Sequence, residues 1–278
     1  MKHLAQLIKI LDCISRYEWN VYRYPSQFIR LKQDHWNKLN RLRQEQQHDD
    51  QSIYSTLLQT EDKVKRYFLD KLFPIQMKWA TSTVAEVSFL NREYYLDKKL
   101  RYLLQRFPDI YLVMYYPIFS IKKAIIDGPI IMISPIGIEL ITFVDRDPNQ
   151  VIYASEERMW LVESLEEQDT MLNPLIELRR AEHIIKSILQ ANDLNFPIQK
   201  TVLSQNNNIV FHNNPYQTRL IGKLQYDKWF QEKRRLSSSL KNIQLRVAEA
   251  LLKRCVTTAI RRPEWEEDED PFSKSEIL

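Results

Sequence analysis

The stretch MISPIGIELITFVD, residues 132–145, decides the fold. Two short apolar runs, PIIMIS (129–134) and IELITFV (138–144), flank Ser134-Pro135-Ile136-Gly137, and a Pro/Gly turn between runs rich in β-branched residues predicts a strand-turn-strand unit. Glu139 lies inside the second run and Asp145 at its end. Taken together with what precedes it, residues 124–144 are about long enough to cross a bilayer. The segment also holds Asp127, Glu139, two prolines and two glycines, which a spanning helix would have to satisfy in hydrocarbon. Buried strands separated by turns are the expectation, with no membrane partner.

Outward from the hairpin the hydrophobic period changes twice. Upstream, Leu4, Leu7, Ile8, Leu11 and Ile14, then Phe28, Leu31, His35, Leu39 and Leu42, then Val64, Phe68 and Leu72 recur at helical spacing. NVYRYPS (20–26) breaks the first of these helices from the second, and QEQQHDDQS (44–52) reads as a polar connection. Residues 84–107 read as a further amphipathic helix. IYLVMYYPIF (110–119), VIYAS (151–155) and MWLVES (159–164) read as strands beside the hairpin. Asn173-Pro174 caps and opens a helix, and IQKTVLS (198–204) and NIVFH (208–212) resume strands around a polar turn. A long helix is expected from Leu224 to about Ile260.

This order predicts an α/β (α+β) fold, a mixed sheet flanked by helices. Residues 1–80 are expected as a helical appendage, 84–260 as the main domain, and 261–278 as an acidic disordered tail.

Composition excludes several function classes. Only Gly128, Gly137 and Gly222 are available, too few for glycine-rich phosphate loops or dinucleotide fingerprints. Cys13 and Cys255 stand far apart without a CxxC, which fits a reducing, cytoplasmic setting and argues against zinc. No small-residue cleavage site follows the apolar start, so a signal peptide is not expected. His3, His35, His48, His183 and His212 are scattered over different elements without a hydrolase or metalloprotease arrangement. The oligomeric state is left open by the sequence.

Residues from Asn91 to about Phe230 resemble the nuclease-related domain (NERD) family, whose fold is restriction-endonuclease-like. The resemblance rests on the Glu93 segment leading to a strand, ISPIGIELI (133–141), Asn173-Pro174 opening a helix, and the TVLS-to-IVF strand pair. It implies metal-dependent phosphodiester hydrolysis by an Asp, a Glu and a Lys on the hairpin strands. Aligned on Ser134–Gly137, those three positions hold Pro129, Thr142 and Val144, and the glutamine expected after Asn-Pro is Glu177. Glu93 alone matches a residue of the implied charged pocket. Glu139 and Asp145 are an odd number of residues from Thr142 and so belong to the opposite side of a regular strand. Glu139 is expected as a solvated carboxylate near the turn.

The resemblance therefore implies a catalytically inactive, nuclease-like binding module for nucleic acid or a protein, with no confident catalytic or metal residue and no cofactor. One alternative is a divalent-metal nuclease with a rearranged site, in which Glu93, Asp127 and Glu177 hold Mg2+ or Mn2+, with Lys122 and Lys123 the nearest basic groups in sequence. Another is a structural interaction protein whose helical front end docks a partner.

Two basic stretches are candidates for phosphate contact. Lys228, Lys233, Arg234, Arg235, Lys241 and Arg246 cluster behind Tyr226 and Trp229, and Arg23, Arg30, Lys32, Lys38, Arg41 and Arg43 interleave with Phe28 and Trp36. The plainer reading of the same charges is a solvated face, or pairing with the acidic run Glu264–Asp270. The formal net charge of +4 is too small to demand a polyanion by itself.

Overall fold

The computed structural model describes residues 4–46, 60–165, 167–211 and 217–262. The chain opens with β1 (Gln6–Ile10), α1 (Arg16–Trp19), α2 (Tyr24–Gln46), α3 (Glu61–Thr81), β2 (Glu86–Val87), α4 (Glu93–Leu96) and α5 (Lys98–Arg106). The strands β3 (Leu112–Tyr115), β4 (Ile118–Ile121), β5 (Ala124–Asp127), β6 (Ile130–Ser134), β7 (Gly137–Phe143), β8 (Val151–Tyr153), β9 (Met159–Glu163) and β10 (Gln168–Leu172) follow. It continues with α6 (Pro174–Gln190), β11 (Ile198–Leu203), β12 (Asn208–Val210), β13 (Thr218–Ile221), α7 (Lys223–Arg235), α8 (Asn242–Leu252) and β14 (Ile260–Arg261).

The hairpin forms as expected. β6 and β7 pair antiparallel from Ile130↔Ile141 to Ser134↔Gly137, and the Ser134 hydroxyl closes the turn by donating to the Gly137 carbonyl at 2.9 Å. This pair lies at the centre of a six-stranded sheet in the order β1-β3-β6-β7-β11-β13. β3 is antiparallel to β6, while β1 runs parallel to β3, and β11 parallel to both β7 and β13. Five strands thus share one direction and β6 opposes them.

Alternating residues send side chains to two apolar layers. Leu112, Met114, Ile131, Ile133 and Leu140 pack with α2, α6 and α8. Val113, Ile130, Met132, Ile141 and Leu203 pack with α5 and α7. The mixed α/β architecture with helices on both faces matches the fold-class expectation.

The first apolar segment does not. Leu4–Ile14 was expected as helix, but Gln6–Ile10 is strand β1 on the edge of the main sheet. The strand is buried on both sides, so its pattern carries no period-two signature. Its polar residues are fully covered yet satisfied. Gln6 Nε2 donates to the Asp109 carbonyl at 2.8 Å, and Lys9 Nζ donates to Glu18 at 2.7 Å and Thr257 at 3.0 Å. The front end therefore supplies a strand to the sheet and, through Phe28, Phe68 and Leu72, part of the same core.

Other boundaries shift for local reasons. The helix expected over 84–107 is cut into β2, α4 and α5 because Asp97 caps a new start, accepting from the backbone N–H groups of Lys99 and Leu100 at 2.8 and 3.1 Å. The helix expected from Leu224 to Ile260 is interrupted at Leu236–Lys241, where three consecutive serines compete for the backbone. β11 and β12 do not form a hairpin, since β12 joins β8 in a second sheet of order β10-β9-β8-β12. Asn207 makes that switch. Its amide donates to the carbonyls of Asp147 and Gln150 at 2.7 and 2.9 Å, and its oxygen accepts from Arg146 N–H at 2.8 Å.

Gly222, at the start of α7, is dictated by close approach, because a Cβ there would lie 2.6 Å from the Ile209 nitrogen. Arg261, placed in the expected tail, belongs to β14 and pairs with Glu86 of β2, while 263–278 lie outside the described residues, as do His3, His48 and His212. Among the described residues no helix is long and apolar enough to cross a membrane.

Gln244 on α8 ties the helix to the sheet. Fully buried, its amide donates to the carbonyls of Ile110 at 2.6 Å and Ile133 at 3.0 Å. Gln244→Leu removes the amide donor from both carbonyls and should lower folding stability by about 1–3 kcal/mol. A reduced urea midpoint at unchanged slope would register it.

Candidate functional site

Because five strands run one way, the sheet has two chemically distinct ends. The positions that the family resemblance marks as catalytic lie toward the carboxyl end. Pro129 and Val144 are buried, and Thr142 is half-buried with its hydroxyl covered and lacking a hydrogen-bond partner. Glu93 is exposed on α4, Asp127 is exposed at the end of β5, and Glu177 is half-buried in the first turn of α6. Burial raises the Glu177 carboxyl above its ordinary value; attraction from Arg180 opposes this, and a weaker repulsion from Asp127 adds to it.

Among the described residues no three His, Cys, Asp or Glu side chains are grouped to hold a metal ion, so Glu93, Asp127 and Glu177 are not gathered into a site. Lys122 and Lys123 are exposed in the left-handed turn between β4 and β5, at φ 47° and 75°. Asp145 is held by structural bonds, accepting from Ser204 Oγ at 3.1 Å and Gln205 N–H at 2.8 Å.

Glu139, expected in solvent, is instead 5% exposed. It points to the face that carries α7, as its odd spacing from Thr142 required. One carboxylate oxygen accepts from Thr201 Oγ1 at 2.6 Å and from Trp229 Nε1 at 3.0 Å, and the other lies 2.6 Å from Lys233 Nζ. A carboxylate on a central strand is tolerated here because α7 and β11 bring three donors to it. Sequence reasoning could not find them: Thr201 is 62 residues from Glu139, and Trp229 is 90.

Two cavities open at the amino end of the parallel strands, where residues 108–110 lead into β3, Pro197 into β11 and Gln217 into β13. The larger, about 840 Å³, is a groove between α2 and the segment joining α7 to α8. Ser26, Ile29 and Gln33 form one wall, and Arg234, Arg235 and Ser237–Ser239 the other, with Asp109 at the floor paired to Lys32.

The second cavity, about 310 Å³, lies under the hairpin turn, with Glu139 and Lys233 inside it and Gln199, Gln217 and Arg219 around it. Tyr111 lines it too, its hydroxyl donating to the Lys233 carbonyl at 3.1 Å. Burial, and then the negative charge of Glu139, push its phenol well above the ordinary range. At the rim Arg219 hydrogen-bonds Glu232 at 2.9 Å and holds that carboxyl below its usual value. Leu236 lines both cavities.

The basic candidates separate accordingly. Lys233 is committed to Glu139 and is not a surface cation. Arg234 is half-buried, with its guanidinium 5.2 Å from the Phe230 ring centre. Lys228, Arg235, Lys241 and Arg246 are exposed, but only Arg234 and Arg235 of the six line the groove. The serine run Ser237–Ser239 is the feature that marks this wall in the sequence, a cluster of hydroxyl donors one residue beyond two arginines.

Breaking the Glu139–Lys233 pair from either side leaves a buried charge. Glu139→Leu should cost about 3–5 kcal/mol of stability, and adding Lys233→Met to it should recover most of that loss. Denaturation of the four proteins of that cycle measures the coupling. A scan against protein-family models and searches of curated proteins and of solved structures find no match to this chain.

Proposed function

We propose that the chain is a non-catalytic nucleic-acid-binding protein that grips the phosphate backbone in the groove between α2 and residues 234–240. The observation that carries this reading is that Arg234, Arg235 and the serines after them face the polar residues Ser26 and Gln33 of α2, about 200 residues away in sequence, across one groove. Arg234 and Arg235 supply planar donors suited to phosphate oxygens, Ser26 and Ser237–Ser239 supply hydroxyl donors, and exposed Arg30 and Lys241 stand beside them in the chain. Lys32, although basic, is neutralised by Asp109.

The non-catalytic part of the reading rests on the donor set at the other end of the sheet. Proline, threonine and valine stand where the nuclease-like pattern asks for ligands and a lysine, and valine offers an ion neither charge nor lone pair. A groove displaced to the opposite end of the strands uses none of those positions.

Anisotropy of labelled DNA and RNA oligomers, titrated at several salt concentrations, tests the proposal. Binding should weaken steeply with salt, and Arg235→Ala combined with Lys241→Ala should lower the log–log slope by about 0.7–0.9 for each phosphate contact removed. The absence of salt-dependent binding overturns it and leaves a protein partner as the occupant.

A further inference from the structure

We infer that the cavity of about 310 Å³ under the hairpin turn is a pocket for one unpaired nucleobase of a strand lying in the neighbouring groove. This rests on the reading of that groove as a phosphate-binding site. The two cavities share Leu236, and the residues that line them follow one another on the last turn of α7: Lys233 faces the pocket, Arg234 and Arg235 the groove. A backbone held by the arginines would thus have a recess beside it, within the reach of a single nucleotide.

The recess has the chemistry of a base site. Its volume is at the lower end of the ~300–1,000 Å³ typical of ligand pockets, enough for one ring system and too little for a stack. Met132, Ile138, Pro197 and Leu236 give it apolar walls for the flat faces of a base, and the ring of Tyr111 is part of the lining. Its polar groups are of mixed sign, with the carboxylate of Glu139, the amides of Gln199 and Gln217 and the guanidinium of Arg219. Base edges alternate donors and acceptors, and such a set can read them, whereas Lys233 and Arg219 are each already paired with a carboxylate and leave no net positive charge to hold a phosphate.

Two features show that the polar groups are held in place. Glu139 is fixed by Thr201, Trp229 and Lys233 and its second oxygen is fully covered, so it shapes the pocket wall and leaves the amides of Gln199 and Gln217 to meet a base edge. Gln217 takes a left-handed backbone at φ 50°, a conformation costly for a side-chain-bearing residue, at the point where it borders the cavity. A double helix keeps its bases stacked and paired, so the pocket selects single-stranded ends, loops or bulges.

The test compares a short single-stranded oligomer containing one cytosine among abasic sites with the same oligomer wholly abasic, using the unmodified protein. The cytosine-bearing strand should bind on the order of tenfold more tightly, with the same salt slope. In the variant Gln199→Leu with Gln217→Leu, checked for an unchanged melting temperature, that preference should vanish while the salt slope stays. Equal affinity of both strands for the unmodified protein overturns the pocket and leaves the groove standing. If neither strand binds even at low salt, both readings are overturned.

Discussion

One carboxylate organises this molecule. Glu139 stands on a central strand of the main sheet, where an isolated charge would be strongly unfavourable, and three donors from β11 and α7 converge on it. The arrangement fixes more than local geometry. Trp229 and Lys233 are one helical turn apart, so meeting Glu139 with both sets the rotation of α7 about its axis and its position along the sheet. That rotation turns Arg234 and Arg235 toward the groove and leaves Lys233 inside. An apolar residue at 139 would remove the directional bonds that choose this docking of α7.

The polarity of the sheet divides the chemistry. At the carboxyl end, the places where a nuclease-like pattern calls for ligands carry buried apolar groups and a threonine whose hydroxyl has no partner. At the amino end, charged and amide side chains from α2, β7, β11, β13 and α7 border two adjoining cavities. A fold does not prescribe which end of its sheet is used, and here the polar side chains decide it.

What could be read from the sequence follows from how local each signal is. The hairpin was legible because its turn and both flanking runs lie within fifteen residues, and α6 because Asn173 and Pro174 specify its start within two. β1 was illegible for the opposite reason. Covered on both faces, it retains apolar residues at spacings that also fit a helix, and the partner that makes it a strand is more than a hundred residues away. The candidate site was half legible: the arginines stood out as charge, but their neighbours Gln199, Gln217 and Tyr111 carry no pattern that marks them, and Lys233 looked the same as the cations beside it. Glu139 was misjudged because solvation is the default for a lone carboxylate and its donors are set by tertiary structure.

The close approach at Gly222 has a mechanical consequence. Where the first turn of α7 lies against Ile209, with no side chain between, the helix is seated on the smaller sheet at one end and bonded to Glu139 at the other. Thirteen residues of helix make a stiff rod about 20 Å long. Held at both ends, the rod cannot slide along the main sheet without breaking one of these contacts, so the outlying strands help to fix the spot from which its tip presents the two arginines and the leucine dividing the cavities.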